Sequence, residues 1–252
     1  MDLGLADRVV LVTGATRGIG LATARAFAAE GARVALTYHE DREGADRLVA
    51  ELGGSERALA VRYALDEPGS PEAAVADVAR RWGGVDVLVA NAYRRGPRRG
   101  PTVRFEDVPA DQWRATLDDN LAGTVRTAQL VLGHMRAQGW GRVVLVSSHI
   151  ATHGRRGQEV YGAAKAALHG LARSLSWEAG PDGVLVNTVA PGLTLTEGVL
   201  GALPPALREQ ERERTPTARL SEPDAVAAAL VFLGSAANTN ISGQLLHVDG
   251  GR

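Results

Sequence analysis

The sequence predicts a doubly wound α/β domain built on a parallel sheet, and three observations carry that prediction. Short runs of β-branched and aliphatic residues alternate with longer Ala-rich stretches. The first of these runs opens directly into a glycine-rich turn. The 252 residues contain no repeat, low-complexity linker or shift of composition that would divide them, so one domain spanning 1–252 is expected.

Strands are expected at RVVLV (8–12), RVALT (33–37), ALAVR (58–62), VDVLVA (85–90), RVVLVS (142–147), VLVNTV (184–189) and QLLHV (244–248). Most are unbroken apolar runs, as strands covered by helices on both faces require. Helices are expected between them at 19–30, 42–52, 71–81, 111–137, 160–179 and 223–234, as right-handed crossovers. Two stretches fit neither pattern: 93–104, rich in Arg, Gly and Pro, and 193–219, rich in Pro and alternating charge. Each follows a strand at its carboxyl end, the edge where open α/β sheets bind ligands.

Composition narrows the function class. A formal charge of −1 gives no long-range attraction to nucleic acid or a membrane surface, and neither is expected as a partner. The absence of cysteine excludes a disulfide scaffold, thiolate-bound metal and a thiol nucleophile. The stretch MDLGLADRVVLVTG lacks a basic segment leading into a long apolar core, and no apolar run approaches the ~20 residues of a spanning helix, so a cytoplasmic protein is expected. Of 28 basic residues, 27 are Arg and one is Lys165. An Arg-favouring codon usage accounts for the missing lysines. The one that remains marks a position where a guanidinium does not replace a compact ammonium.

The turn Thr13-Gly14-Ala15-Thr16-Arg17-Gly18-Ile19-Gly20 joins the first strand to the first helix. Gly14 permits the tight turn, Gly18 lets backbone approach a pyrophosphate, and Gly20 allows the helix to pack close to the sheet. Phosphates then meet free N–H groups at the helix start. The bland reading is a tight strand–helix connection; placement after the first strand of a βαβ series favours a dinucleotide. The second strand ends in Thr37-Tyr38-His39, so Tyr38 stands where a ribose-binding carboxylate would select NAD. With Arg17 as a cationic fork and His39 as a second contact, NADP(H) is expected over NAD(H). Glu40 and Asp41, close enough in sequence to fold back toward the ribose, argue the other way.

Tyr161 and Lys165 form an i, i+4 pair at the start of a predicted helix, which puts ammonium and phenol on one face. The positive charge favours phenolate and draws the tyrosine toward the range of a general acid/base. Ser148 lies thirteen residues upstream, just past a strand end, where a hydroxyl can hydrogen-bond a substrate carbonyl. Each feature recurs by chance on many chains, and Ser after a strand is commonly a helix cap. Their joint placement with the glycine turn carries the argument.

Through the Thr13–Gly20 turn, Asn91-Ala92, Asn120, Ser148, Tyr161 with Lys165, Pro191-Gly192 with Thr194 and Thr196, and the closing Gly243…Asp249-Gly250-Gly251, the chain resembles the short-chain dehydrogenases/reductases from Arg8 to Gly251. The resemblance implies a Rossmann-type three-layer sandwich with a seven-stranded parallel sheet in the order 3-2-1-4-5-6-7. It implies a catalytic set of Asn120, Ser148, Tyr161 and Lys165. Tyr161 would protonate the carbonyl oxygen that Ser148 orients, Lys165 would hold the nicotinamide ribose, and Asn120 would anchor a water leading to solvent. Pro191, Gly192, Thr194 and Thr196 would cradle the nicotinamide, and 193–219 would close over substrate. A homotetramer or dimer through 111–137, 160–179 and the last strand is also implied.

Several positions depart from the family pattern. Its Asn-Asn-Ala-Gly reads Ala90-Asn91-Ala92-Tyr93 here. Asn91 and Ala92 can still cover the adenosine ribose, while Tyr93 either packs the loop or forms a stacking wall for a flat substrate. Ala64, followed by Leu65-Asp66, replaces an Asp that would bind the adenine amino group, leaving adenine to backbone and Leu65. Arg94, Arg95, Arg98 and Arg99 form either a solvated basic loop or a lure for an acidic or enolate-like substrate. His149 and His153 are candidate substrate contacts; no metal site is expected, because no partner recurs at ligand spacing. REQERER (208–214) reads as a solvated helix face with i, i+4 pairs.

The leading expectation is an NADPH-dependent reductase of a small-molecule ketone, polyketide-derived, aromatic or 3-oxoacyl. Gly139 and Asp182 stand where carrier-protein reductases often place basic docking residues, which weakens the carrier-protein reading. The alternatives are an NAD-dependent secondary alcohol or sugar dehydrogenase, and a non-catalytic nucleotide sensor. An intact catalytic set disfavours the sensor.

Overall fold

The computed structural model describes residues 2–94, 96, 99–100 and 102–252. Seven strands, β1 (Val9–Val12), β2 (Arg33–Tyr38), β3 (Ala58–Arg62), β4 (Val87–Ala90), β5 (Gly141–Val146), β6 (Val184–Pro191) and β7 (Leu245–Val248), form one sheet. Every pairing is parallel, as the sequence pattern predicts, and the order is β3-β2-β1-β4-β5-β6-β7, as the family resemblance implies. The helices are α1 (Gly18–Ala29), α2 (Arg42–Glu51), α3 (Ser70–Trp82), α4 (Ala110–Leu117), α5 (Gly123–Ala137), α6 (Ile150–His153), α7 (Glu159–Ala179), α8 (Glu197–Ala202), α9 (Pro205–Glu213) and α10 (Pro223–Gly234).

Both faces of the sheet are buried, and this explains the unbroken apolar runs. Val10, Val12, Val34, Leu36, Val87, Val89 and Val144 pack with Phe27, Leu48 and Leu230 of α1, α2 and α10. The alternate residues Leu11, Ala35, Leu88, Val143 and Leu145 pack with Val78, Val131 and Leu168 of α3, α5 and α7. Three layers result.

Polar groups hold the amino-terminal edge of the sheet. The Asp86 carboxylate accepts from Val9 N (2.8 Å) and from Gln138 Nε2 (2.5 Å). Arg142 donates to the carbonyls of Gly141, Ser235 and Asn238 and lies 4.5 Å from the Trp140 ring centroid; burial lowers its pKa to about 10. With these groups committed to structure, the opposite edge carries the loops that can bind ligands.

The helix expected over 111–137 is not continuous. One π-helical turn, Asp118–Ala122, separates α4 from α5. Asn120 lies in this turn and donates Nδ2 to Thr116 O (2.9 Å), competing for a carbonyl four residues back. The apolar period runs through such a turn almost undisturbed, so periodicity alone does not reveal it. Within 193–219 two short helices form: α8, which the sequence pattern does not show and which Thr196 caps by accepting from Val199 N (3.3 Å), and α9, which follows Pro204 and takes in most of the helix face expected at 208–214. In α9 the ion pair within the helix is Arg212–Glu209, an i, i+3 pair, and Glu211 instead binds Arg252.

Candidate active site

The glycine turn is lashed to both neighbouring strands. Thr13 Oγ1 accepts from Asn91 N (3.0 Å) and Ala92 N (2.9 Å), while Asn91 Nδ2 donates to Thr13 O (2.9 Å) and Gly14 O (3.0 Å). Gly14 N donates to Thr37 Oγ1 (2.9 Å). A Cβ on Gly20 would collide with Gly14 O and lie 2.6 Å from Asn91 Nδ2, so only glycine permits this approach. A Cβ on Gly18, whose φ is +56°, would reach 3.0 Å from Thr196 Cγ2, which brings the turn against the start of 193–219. Thr16 and Ile19 are half-buried, and Arg17 is exposed. Arg17 begins α1 in extended conformation without a side-chain cap, leaving the first N–H groups of α1 for another acceptor.

At the end of β2, Tyr38 is buried and its hydroxyl accepts from Arg42 Nη1 (3.1 Å). Arg42 also pairs with Asp46 (2.9 Å). The sequence reading overlooked Arg42; its spacing of four from Tyr38 at a helix start was the available signal. His39 is exposed, 3.9 Å from Glu40, and Asp41 caps α2 by accepting from Gly44 N (2.9 Å). Past β3, buried Ala64 donates its N–H to Ser70 Oγ (2.8 Å), half-buried Leu65 lies close to Gly123, and Asp66 pairs with Arg94 (2.7 Å).

The chemistry-bearing side chains gather past β4 and β5. Tyr161 lies in the first turn of α7 and Lys165 one turn on. Lys165 is 3% exposed, donates Nζ to Val146 O (2.8 Å), and is lowered to about 8 by burial. That bond ties α7 to the end of β5, two residues before Ser148. Ser148 Oγ accepts from Ile150 N (3.2 Å) at the start of α6. Ser147 Oγ donates to Lys165 O (3.0 Å) and stands 2.8 Å from His169 Nε2, a second tie between strand and helix. The Tyr93 ring centroid is 6.2 Å from that of Tyr161 and 5.8 Å from Lys165 Nζ, so phenol and ammonium lie on one wall beside the same ring.

Asn120, 1% exposed, clamps the loop after β4. Its Oδ1 accepts from Arg94 N (3.0 Å) and its Nδ2 donates to Arg94 O (2.9 Å). Arg94 pairs with Asp66 and Asp119, and Arg99, 11% exposed, pairs with Glu159 and donates to Val103 O (2.5 Å). Both arginines are ion-paired; Arg94 stays half exposed, as a solvated basic loop would have it, whereas Arg99 is mostly buried, and Arg95 and Arg98 lie outside the described residues.

His149 is half-buried, with a pKa lowered first by burial and then by Arg252. Exposed His153 lies 6.1 Å from it and 5.9 Å from the His247 ring. Pro191 closes β6, Gly192 N donates to Val248 O (2.9 Å), and Thr194 Oγ1 donates to Gly192 O (3.1 Å). Among the described residues, no helix is long and apolar enough to cross a membrane.

A family model described as enoyl-(acyl carrier protein) reductase matches residues 14–252. A solved short chain dehydrogenase/reductase family protein superposes with a TM-score of 0.85 at 35% identity, over 100% of this chain and 98% of that one. The chain belongs to the short-chain dehydrogenase/reductase family. Family members are oxidoreductases that use a nicotinamide cofactor. This dehydrogenase/reductase is 38% identical over 252 residues to cis-4-hydroxycyclohexanecarboxylate dehydrogenase of Sinomonas cyclohexanicum, covering 100% of this chain and 98% of that one. It is 35% identical over 254 residues to the short-chain reductase protein NovJ of Streptomyces niveus (98% and 94% covered). It is 36% identical over 253 residues to 3-oxoacyl-(acyl-carrier-protein) reductase FabG of Vibrio cholerae serotype O1 (99% and 98% covered).

Proposed function

We propose that this chain interconverts a ketone and a secondary alcohol, and works as an NADPH-dependent reductase of a cyclic or aromatic ketone. The observation that carries the reading is the common wall formed by Tyr161 and Lys165, tied through Val146 to the strand end that bears Ser148. The residues fit a dinucleotide: α1 starts without a side-chain cap, and glycine at 20, where a Cβ would strike Gly14 O, lets the turn fold closely onto that uncapped helix start. Gly14, Thr16, Arg17, Gly18, Ile19 and Gly20 would hold the pyrophosphate end, and Pro191, Gly192, Thr194 and Thr196 the nicotinamide end. The reduced nicotinamide, when bound, supplies the hydride. Tyr161 gives its hydroxyl proton to the carbonyl oxygen, and Ser148 donates a hydrogen bond to the same oxygen. The Lys165 ammonium favours the phenolate left behind, and a solvent proton restores it by way of the Asn120 turn.

NADP(H) is favoured by Arg17 and by Arg42, whose guanidinium sits on the Tyr38 hydroxyl at the end of β2. Asp41, which argued for NAD, is engaged as the cap of α2. The competing reading, an NAD-dependent alcohol dehydrogenase, draws on Glu40 and on relatives named cis-4-hydroxycyclohexanecarboxylate dehydrogenase and D-threitol dehydrogenase. The ring substrate in the first of these names accords with an aromatic wall at Tyr93. We further propose one domain throughout, with 193–219 covering substrate, and assembly as a homotetramer through α4–α5, α7 and β7.

Oxidation of NADPH by a panel of cyclic, aromatic and 3-oxo ketones tests the reaction. Tyr161→Phe should lower turnover by about a thousandfold while dinucleotide binding persists; full turnover by this variant would remove Tyr161 from its role. Arg42→Ala should weaken NADPH more than NADH. Tighter binding of NADH than NADPH by the wild type would favour the competing reading.

A further inference from the structure

We propose that Tyr93 is a positioning residue that competes with the nicotinamide ribose of the cofactor for the Lys165 ammonium; the inference rests on the nicotinamide-dependent reading above. The backbone around Tyr93 is fixed on both sides. Ala92 N donates to Thr13 Oγ1 (2.9 Å) in the glycine turn, and Arg94 is gripped at its N–H and its carbonyl by Asn120 in the π turn. The Arg94 side chain is drawn away to Asp66 and Asp119. What remains free is rotation of the Tyr93 side chain, and its ring rests over Lys165 Nζ at 5.8 Å.

The ammonium needs such a neighbour. Among the described residues no carboxylate pairs with Lys165, and its Nζ gives one hydrogen bond, to Val146 O. A buried cation with one backbone acceptor gains from the negative face of an aromatic ring. The ring itself is 49% exposed, so swinging outward sacrifices little packing. A ribose hydroxyl that bonds Nζ must approach an ammonium which the ring covers. Occupancy of Lys165 by the ring and by the ribose is therefore exclusive, and the ring's hold subtracts from cofactor affinity.

Isothermal titration of NADPH, NADH and AMP into wild type, Tyr93→Ala and Tyr93→Phe tests this. Tyr93→Ala should bind the preferred dinucleotide about fivefold to thirtyfold more tightly, the range that a desolvated cation–π contact supports. Tyr93→Phe should match wild type, because the ring face and not the hydroxyl meets the ammonium. AMP, which has no nicotinamide ribose, should bind all three equally. Dinucleotide affinity that is unchanged or weaker in Tyr93→Ala overturns the competition, as does an equal gain for AMP. A wild type that binds neither dinucleotide overturns the nicotinamide reading instead.

Discussion

The turn at 13–20 and the stretch at 93–104 leave adjacent strands, β1 and β4, at the same edge of the sheet, yet they are held by different means. The first is fixed by backbone: the Thr37 and Thr13 hydroxyls bind Gly14 N and Asn91 N, and Gly14 O and the Asn91 amide leave no room for a side chain at Gly20. The second is fixed by long side chains, with Arg94 bound to Asp66 and Asp119, Arg99 to Glu159, and Tyr93 over Lys165. Backbone packing forces residue identity, so such a turn is stereotyped. A loop held by ion pairs and rings can hold its place with many residue sets, so it is where one member of a family comes to differ from another.

Substitutions can break this contrast. The largest effect is expected at the junction of the two regions: Lys165→Met should lower turnover by about a hundredfold or more. In the wild type, reductive turnover should fall as pH rises through about 8, where buried Lys165 gives up its charge; a flat profile across that range would contradict the assignment. Stability should run the other way. Between about 8 and the ordinary lysine value of 10.5 the unfolded chain holds the additional proton, so this contribution to stability rises with pH. Lys165→Met should thus raise Tm at pH 7, and the gain should shrink as pH rises from about 8 to 10.5.

Gly20→Ala should come next, destabilising the fold by about 1–3 kcal/mol through overpacking against Gly14 O and Asn91, with loss of dinucleotide binding. Urea unfolding and titration measure both. Arg99→Ala, which removes a mostly buried guanidinium from Glu159, should cost about 1 kcal/mol and raise KM for substrate more than it lowers kcat. Arg94→Ala should have the smallest effect, below about 1 kcal/mol, because half of its side chain is in water. A cost above that of Gly20→Ala at either arginine would invert the comparison.

The layer architecture was legible because a strand buried on both faces has to be apolar along its covered length, as 9–12, 87–90 and 143–146 are. The Tyr161–Lys165 pairing was legible because helix geometry alone puts i and i+4 side by side. The π turn was not, since Asn120 breaks the helix through a bond to Thr116 O that leaves the apolar pattern intact. The helix α8 was hidden as well, being only six residues long with two glycines, while α9 was legible in part through REQERER; its tie to Arg252 by way of Glu211, across more than forty residues of chain, was not.

The sequence alone thus determined the alternation of strands and helices and the turn at 13–20, which follow from periodicity and local geometry, while its resemblance to a known family implied the sheet order. The tertiary structure decided that Arg42 meets Tyr38, that Arg94 is ion-paired at the surface while Arg99 is mostly buried against Glu159, and that Tyr93 rests over Lys165. The reason is physical: short-range order is written in residue spacing, whereas the pairing of long side chains across loops depends on distances that only the packed chain sets.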